Sequence, residues 1–152
     1  MKTSFKLFSF FLATSLAVAC ASGESETLKQ ARTIQTDIMN QTKDLDSTIN
    51  VKLESVNSEL TILNEDSTMQ TDSVKLAGYM TTKDKYNELT TLKSDLADWK
   101  SNVVMLPTVE EMANGAENPF GEKAKDQEVL ASIKKSQDDF SAFRTKAEAS
   151  MK

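Results

Sequence analysis

Two counts decide most of the chemistry open to this chain: in 152 residues there is one cysteine, Cys20, and no histidine. Without histidine there is no Ser-His or Cys-His nucleophile system, no imidazole acid–base, and none of the commonest transition-metal ligand. One thiol closes no intramolecular disulfide and builds no zinc or iron–sulfur site within one chain. Glycine-rich phosphate loops are absent, so nucleotide chemistry has no foothold. Carboxylate pairs stand at Asp95/Asp98, Glu110/Glu111 and Asp138/Asp139. Such pairs serve glycoside hydrolysis only when a pocket separates them and perturbs their ionisation, and on charged helix faces they read as solvated. Asp44-x-Asp46-x-Thr48 opens like a calcium loop, but Ile49 stands where the sharp turn needs glycine and Ser55 where a bidentate glutamate belongs. Methionines at 39, 69, 80, 105, 112 and 151 offer soft thioethers for Cu(I). They share no short spacing, and methionine is also an adaptable core filler. No catalytic, cofactor or metal residue is assigned, and the chain reads as a non-enzyme.

Cys20 is the exception, because of what precedes it. Lys2 and Lys6 lead into an apolar and small-residue run from Leu7 to Val18, ending in Ala17-Val18-Ala19-Cys20. Twelve residues fit the ~7–15 of a signal-peptide core and fall short of the ~20 that span a bilayer. Ala17-Val18-Ala19-Cys20 resembles the lipobox of bacterial lipoproteins, with Ala17 where leucine is commonest. The resemblance implies a diacylglyceryl group on the Cys20 sulfur, a mature chain starting there, and a lipid-anchored protein of the cell envelope, at the outer membrane or cell surface. Two other cleavages satisfy the small-residue rule, after Ala19 without lipidation or after Ala21, and both give a periplasmic or secreted protein. Ala21 to Glu24 read as a polar tether, and the acidic residues behind the cysteine resemble surface-export signals of some lipoprotein systems.

Removal of residues 1–19 takes two lysines with it and leaves 16 basic against 23 acidic residues, a net charge of −7. A negative field of that kind opposes binding to nucleic acid and to anionic lipid head groups. The expected partners are instead the membrane, through acyl chains on Cys20, and another protein or a second copy, through exposed helix faces.

The elements that carry these residues are helical. Only four glycines and two prolines occur, and apolar residues recur at three and four rather than alternating. The domains are thus a signal peptide over 1–19, a tether over 20–24 and one all-α domain over 25–152, an antiparallel bundle of three main helices near 25–63, 82–105 and 119–150. Leu45, Ile49, Leu53, Val56, Leu60 and Leu63 form the firm half of the first stripe. Gln35, Gln41 and Thr42 thin the other half, so fraying is expected there. Asp72 caps a short turn closed by Gly78, with one helix running through Gly78 as the alternative at about 1 kcal/mol. The second main helix begins at a Thr81/Asp84 capping box and carries Leu89, Leu92, Leu96, Trp99 and Val103 as an a/d seam. On that seam Trp99 reads first as a bundle anchor and second as a ligand-stacking platform. Pro107 ends the helix, Thr108 to Glu111 has capping-box spacing, and Asn114-Gly115 closes that turn. The 106–121 connection reads first as a connector between helices, and it is the candidate if any loop binds a partner. Asn118-Pro119 predicts the start of the last helix, whose apolar face is Leu130, Ile133, Phe140, Phe143, Ala147 and Met151. Because the second helix is short, Ile34, Ile38 and Met39 should remain uncovered and available for association.

Asp37-x-Met39, Leu96-Ala97-Asp98-Trp99 followed by Pro107, and Val129-Leu130-Ala131-Ser132-Ile133-Lys134-Lys135 resemble segments of small helical bacterial lipoproteins labelled viral A-type inclusion protein-like. That resemblance implies helical architecture and envelope location, and no enzymatic activity. The leading expectation is a lipid-anchored, non-enzymatic envelope protein with a structural or protein-interaction role. The alternative is an exported ligand- or metal-binding helical protein using Trp99 and the methionines.

Overall fold

The computed structural model describes residues 23–121 and 123–152, so Cys20 and the signal region lie outside the described residues. Four helices and no strand occur among the described residues: α1 (Glu26–Glu65), α2 (Ser73–Asn102), α3 (Val109–Ala113) and α4 (Asp126–Ser150). The three long ones form the expected all-α antiparallel bundle, running up, down and up. α4 lies parallel to α1: Ser25 Oγ donates to Asp126 Oδ2 at one end, and Arg144 Nη1 donates to Gln41 Oε1 at 2.9 Å further along. α1 is the common partner, since α2 and α4 each pack on it and approach one another far less.

Length decides the shape. At 1.5 Å per residue α1 is about 60 Å long, α2 about 45 Å and α4 about 37 Å. α4 starts beside Ser25 and runs out near the middle of α1, leaving a three-helix end at the start of α1 and a two-helix tip beyond. At the three-helix end Ala31, Ile38, Ile49, Leu96, Ile133 and Phe140 are completely buried. At the tip Val56 is the only buried residue of α1 past Ile49, and Leu53, Leu60 and Leu63 are half-buried. The expectation of a firm distal half and a frayed proximal half is therefore reversed. Gln35 and Thr42 are accommodated rather than excluded. The Gln35 amide accepts from the Leu106 N–H and donates to the Leu106 carbonyl, both at 2.8 Å, and Thr42 Oγ1 donates to the Ile38 carbonyl at 2.7 Å.

The helix boundaries also differ from the sequence expectation in three places. α2 starts at Ser73, capped by Asp72, whose carboxylate accepts from the Val74 and Lys75 N–H groups, and it runs straight through Gly78. Nothing lies within 4 Å of a Cβ built at Gly78, so the glycine sits in an ordinary exposed helical turn. Thr81 caps nothing and instead donates back to the Ala77 carbonyl at 3.0 Å. α2 ends at Asn102 rather than 105. The Asp98 carbonyl is taken by Ser101 Oγ and Asn102 Nδ2, and Val103 is already extended ahead of Leu106-Pro107. α4 starts seven residues after Pro119, because Asn118 builds a tight turn instead of a cap. Its side chain accepts from Phe120 N–H at 3.0 Å, its carbonyl accepts from Gly121 N–H, and Gly121 turns away at φ +91°.

The hairpin turn between α1 and α2 closes on Asp66. Its carboxylate accepts from the Thr68 N–H at 2.9 Å and hydroxyl at 2.7 Å and pairs with Lys75 at 2.6 Å, while Met69 plugs the turn from inside. These bonds, Lys75 foremost, hold the Asp66 carboxyl well below the usual carboxylate range and raise Lys75 above the usual ammonium value.

Candidate functional site

Where α2 stops, the chain continues as an extended strap, residues 103–108, laid along the tether-side half of α1. The strap is fixed at two points: Gln35 grips both polar groups of the Leu106 backbone, and Arg32 Nη1 donates to the Pro107 carbonyl. The same guanidinium pairs with Glu24 at 2.6 Å. Ile38 is only 1% exposed and belongs to the buried core cluster with Leu106 of the strap, so it is not part of an uncovered surface as expected. Ile34 is half-buried, and only Met39 of the three stays open, at 47% exposure. α2 ends early, but the extended strap takes over the covering of α1.

Between strap, α1 and the last turn of α2 lies a cleft of about 450 Å³, inside the ~300–1,000 Å³ range of small-molecule sites. Its walls are Ile38, Met39, Trp99, Val103 and Met105, and its charged members are Lys43, Lys100 and Glu111. Lys100 is engaged by Asp46 at 2.6 Å. Glu111 belongs to the capping box of α3: its carboxylate accepts from Thr108 N–H at 2.6 Å and Thr108 Oγ1 accepts from Glu111 N–H at 3.1 Å. The Thr108 backbone bond, with help from its side chain, holds the Glu111 carboxyl below its ordinary range, which makes it a fixed anion and a poor general acid. A neighbouring hollow of about 380 Å³ extends the cleft toward Arg32 and shares Met39 and Lys43.

Trp99 stands at the junction. Its ring lies 5.0 Å from Phe140, tilted by 46°, and this is the aromatic contact that joins α2 to α4. It also lines the cleft. The anchor and platform readings of Trp99 thus describe two sides of one ring.

The methionines are dispersed, with one exception. Met39 and Met105 meet in the cleft, Met69 fills the hairpin turn, Met151 is buried at the end of α4, and Met80 and Met112 are exposed. Of the acid pairs, Asp98, Glu110, Asp138 and Asp139 are exposed and Glu111 is used as a cap. Asp44 to Thr48 lies inside α1, with Thr48 Oγ1 on the Asp44 carbonyl and Asp46 on Lys100. Among the described residues no group of three or more Asp, Glu, Cys or His could hold a metal ion, and no helix is long and apolar enough to cross a membrane. The strap and its glutamine clamp were missed from the sequence. Their only signal was a glutamine on an apolar stripe, between Ala31 and Ile38. Comparison with protein-family models, characterised proteins and solved structures returns no match.

Proposed function

We propose that the chain is a lipid-anchored, non-enzymatic protein of the bacterial cell envelope, whose helical bundle serves a structural or protein-interaction role. The observation that carries this reading is the placement of the only cysteine, Cys20, at the end of an export signal. The start of the bundle supports it. Ser25 caps α1 and binds Asp126, while Glu24 pairs with Arg32, which in turn binds the strap. A chain attached through residues 20–24 would thus be joined to three elements at once. The several acyl chains of a bacterial lipoprotein would hold it firmly, since one chain alone binds a bilayer only marginally.

Intact mass spectrometry of the protein from its native membrane tests the reading. The expected mass is residues 20–152 plus acyl chains, absent when Cys20 is changed to serine. An unmodified mass starting at Cys20 or Ser22 would sink it and leave a secreted protein.

A further inference from the structure

We propose that the cleft between α1, the end of α2 and the 103–108 strap is a binding site for a free single-chain amphiphile bearing one carboxylate. This inference does not rest on the acylation of Cys20. The apolar part of such a molecule meets a continuous wall of Met39, Trp99, Val103 and Met105. Thioether side chains adapt to irregular apolar ligands, and Met39, half exposed at the cleft, becomes covered on binding. Exposed apolar residues elsewhere, such as Val51, Ile62 and Val74, line neither this cleft nor the two hollows that share residues with it.

Charge selects the head group. The whole chain carries a net −5, yet the cleft presents Lys43 and Lys100 against the single carboxylate of Glu111, and the adjoining hollow adds Arg32. Lys100 has Asp46, Arg32 has Glu24, and Glu111 is tied to Thr108. Lys43 has no hydrogen bond or ion pair among the described residues, and it lines both hollows. A carboxylate reaching Lys43 gains a partner that no acid of the described fold supplies, whereas a cationic head group meets two ammonium groups against the one Glu111 carboxylate. A ligand seated there also bridges the strap to α1, adding to the clamp at Gln35.

Trp99 is the only tryptophan of the chain and lines the cleft, so its emission reads occupancy directly. Titration of the full-length protein with decanoate is expected to shift Trp99 emission saturably, with decyltrimethylammonium at least tenfold weaker. Lys43→Glu should weaken decanoate at least tenfold while leaving the far-UV circular dichroism unchanged, and Met39→Glu, at an exposed position, should abolish the shift. Equal affinity for the anionic and cationic amphiphiles, indifference to Lys43→Glu, or a non-saturable response would overturn the proposal. So would phosphatidylglycerol vesicles shifting the emission when decanoate does not, which would assign the cleft to a membrane surface.

Discussion

Along its first 24 residues α1 is flanked by α2, the strap and α4. Over its last 16 it meets α2 alone. The contrast in burial is sharp: Ile38, Ile49 and Ala31 are at 0–1% exposure in the first stretch, while Leu60 and Leu63 remain half-open in the second. One helix with one kind of sequence is thus held in two ways. Near the tether, apolar burial on two sides is supplemented by specific polar locks, Gln35 on Leu106 and Arg32 on Pro107. At the tip a narrow apolar seam is finished by exposed polar bonds around Asp66. What distinguishes the two stretches is the number of partner elements rather than the apolar content of α1 itself.

The largest expected effect tests that contrast directly. Phe140 is fully buried at the three-helix end and holds Trp99. Phe140→Ala should cost about 3–5 kcal/mol in urea unfolding followed by circular dichroism, against about 1 kcal/mol for Leu60→Ala, because a half-buried leucine has given up only part of its transfer free energy. Equal losses would break the distinction. Next in size, Gly78→Ala at the tip should raise stability by about 1 kcal/mol in the same melts, because the helix is continuous there and the added methyl meets nothing. A loss of stability would mean that the helix is interrupted at that residue, as the sequence first suggested.

The smallest effect concerns pH. Asp66 titrates lower in the folded chain than in the unfolded one, so its contribution is present above the unfolded carboxylate value of about 4 and is lost as pH falls below it toward the folded one. Amide exchange at residues 68–72 should accelerate on acidification through that range, after correction for intrinsic rates, and the acceleration should shrink in Lys75→Met, where only the two Thr68 bonds still favour the carboxylate. Amides of Ile38 to Leu45 should show no such change.

Much of this molecule was readable in the chain. The period of three and four gave the helices, and the seam Leu89, Leu92, Leu96 is buried as its spacing required. The capping box Thr108/Glu111 and the left-handed Gly115 also fell where their residue types placed them. The errors share a cause. Gly78, Asn118-Pro119 and Gln35 were each read through local preference alone. Local preference is worth about 1 kcal/mol per residue, and tertiary contact outweighs it. α2 continues past Gly78 and still packs on α1 beyond it, where the buried Thr82 donates to Glu59. Gln35 is a poor stripe residue until a strap with two unpaired backbone groups is laid beside it. The cleft follows from that strap, so it was not legible until the strap was. Trp99, Met39 and Met105 are separated by up to 66 positions in the sequence, and no spacing rule brings them together.

The parallel setting of α1 and α4 has a mechanical meaning. Tension applied at the first turn of α1, as the proposed anchor would apply it, runs along the axis of that helix. To extract that helix, it must slide past α2, the strap and α4 together, so many contacts resist in shear at the same moment. The hairpin tip, about 60 Å away along α1, hangs on the far side of this grip and carries none of the pull. Its turn is therefore free to open and close without loosening the three-helix end.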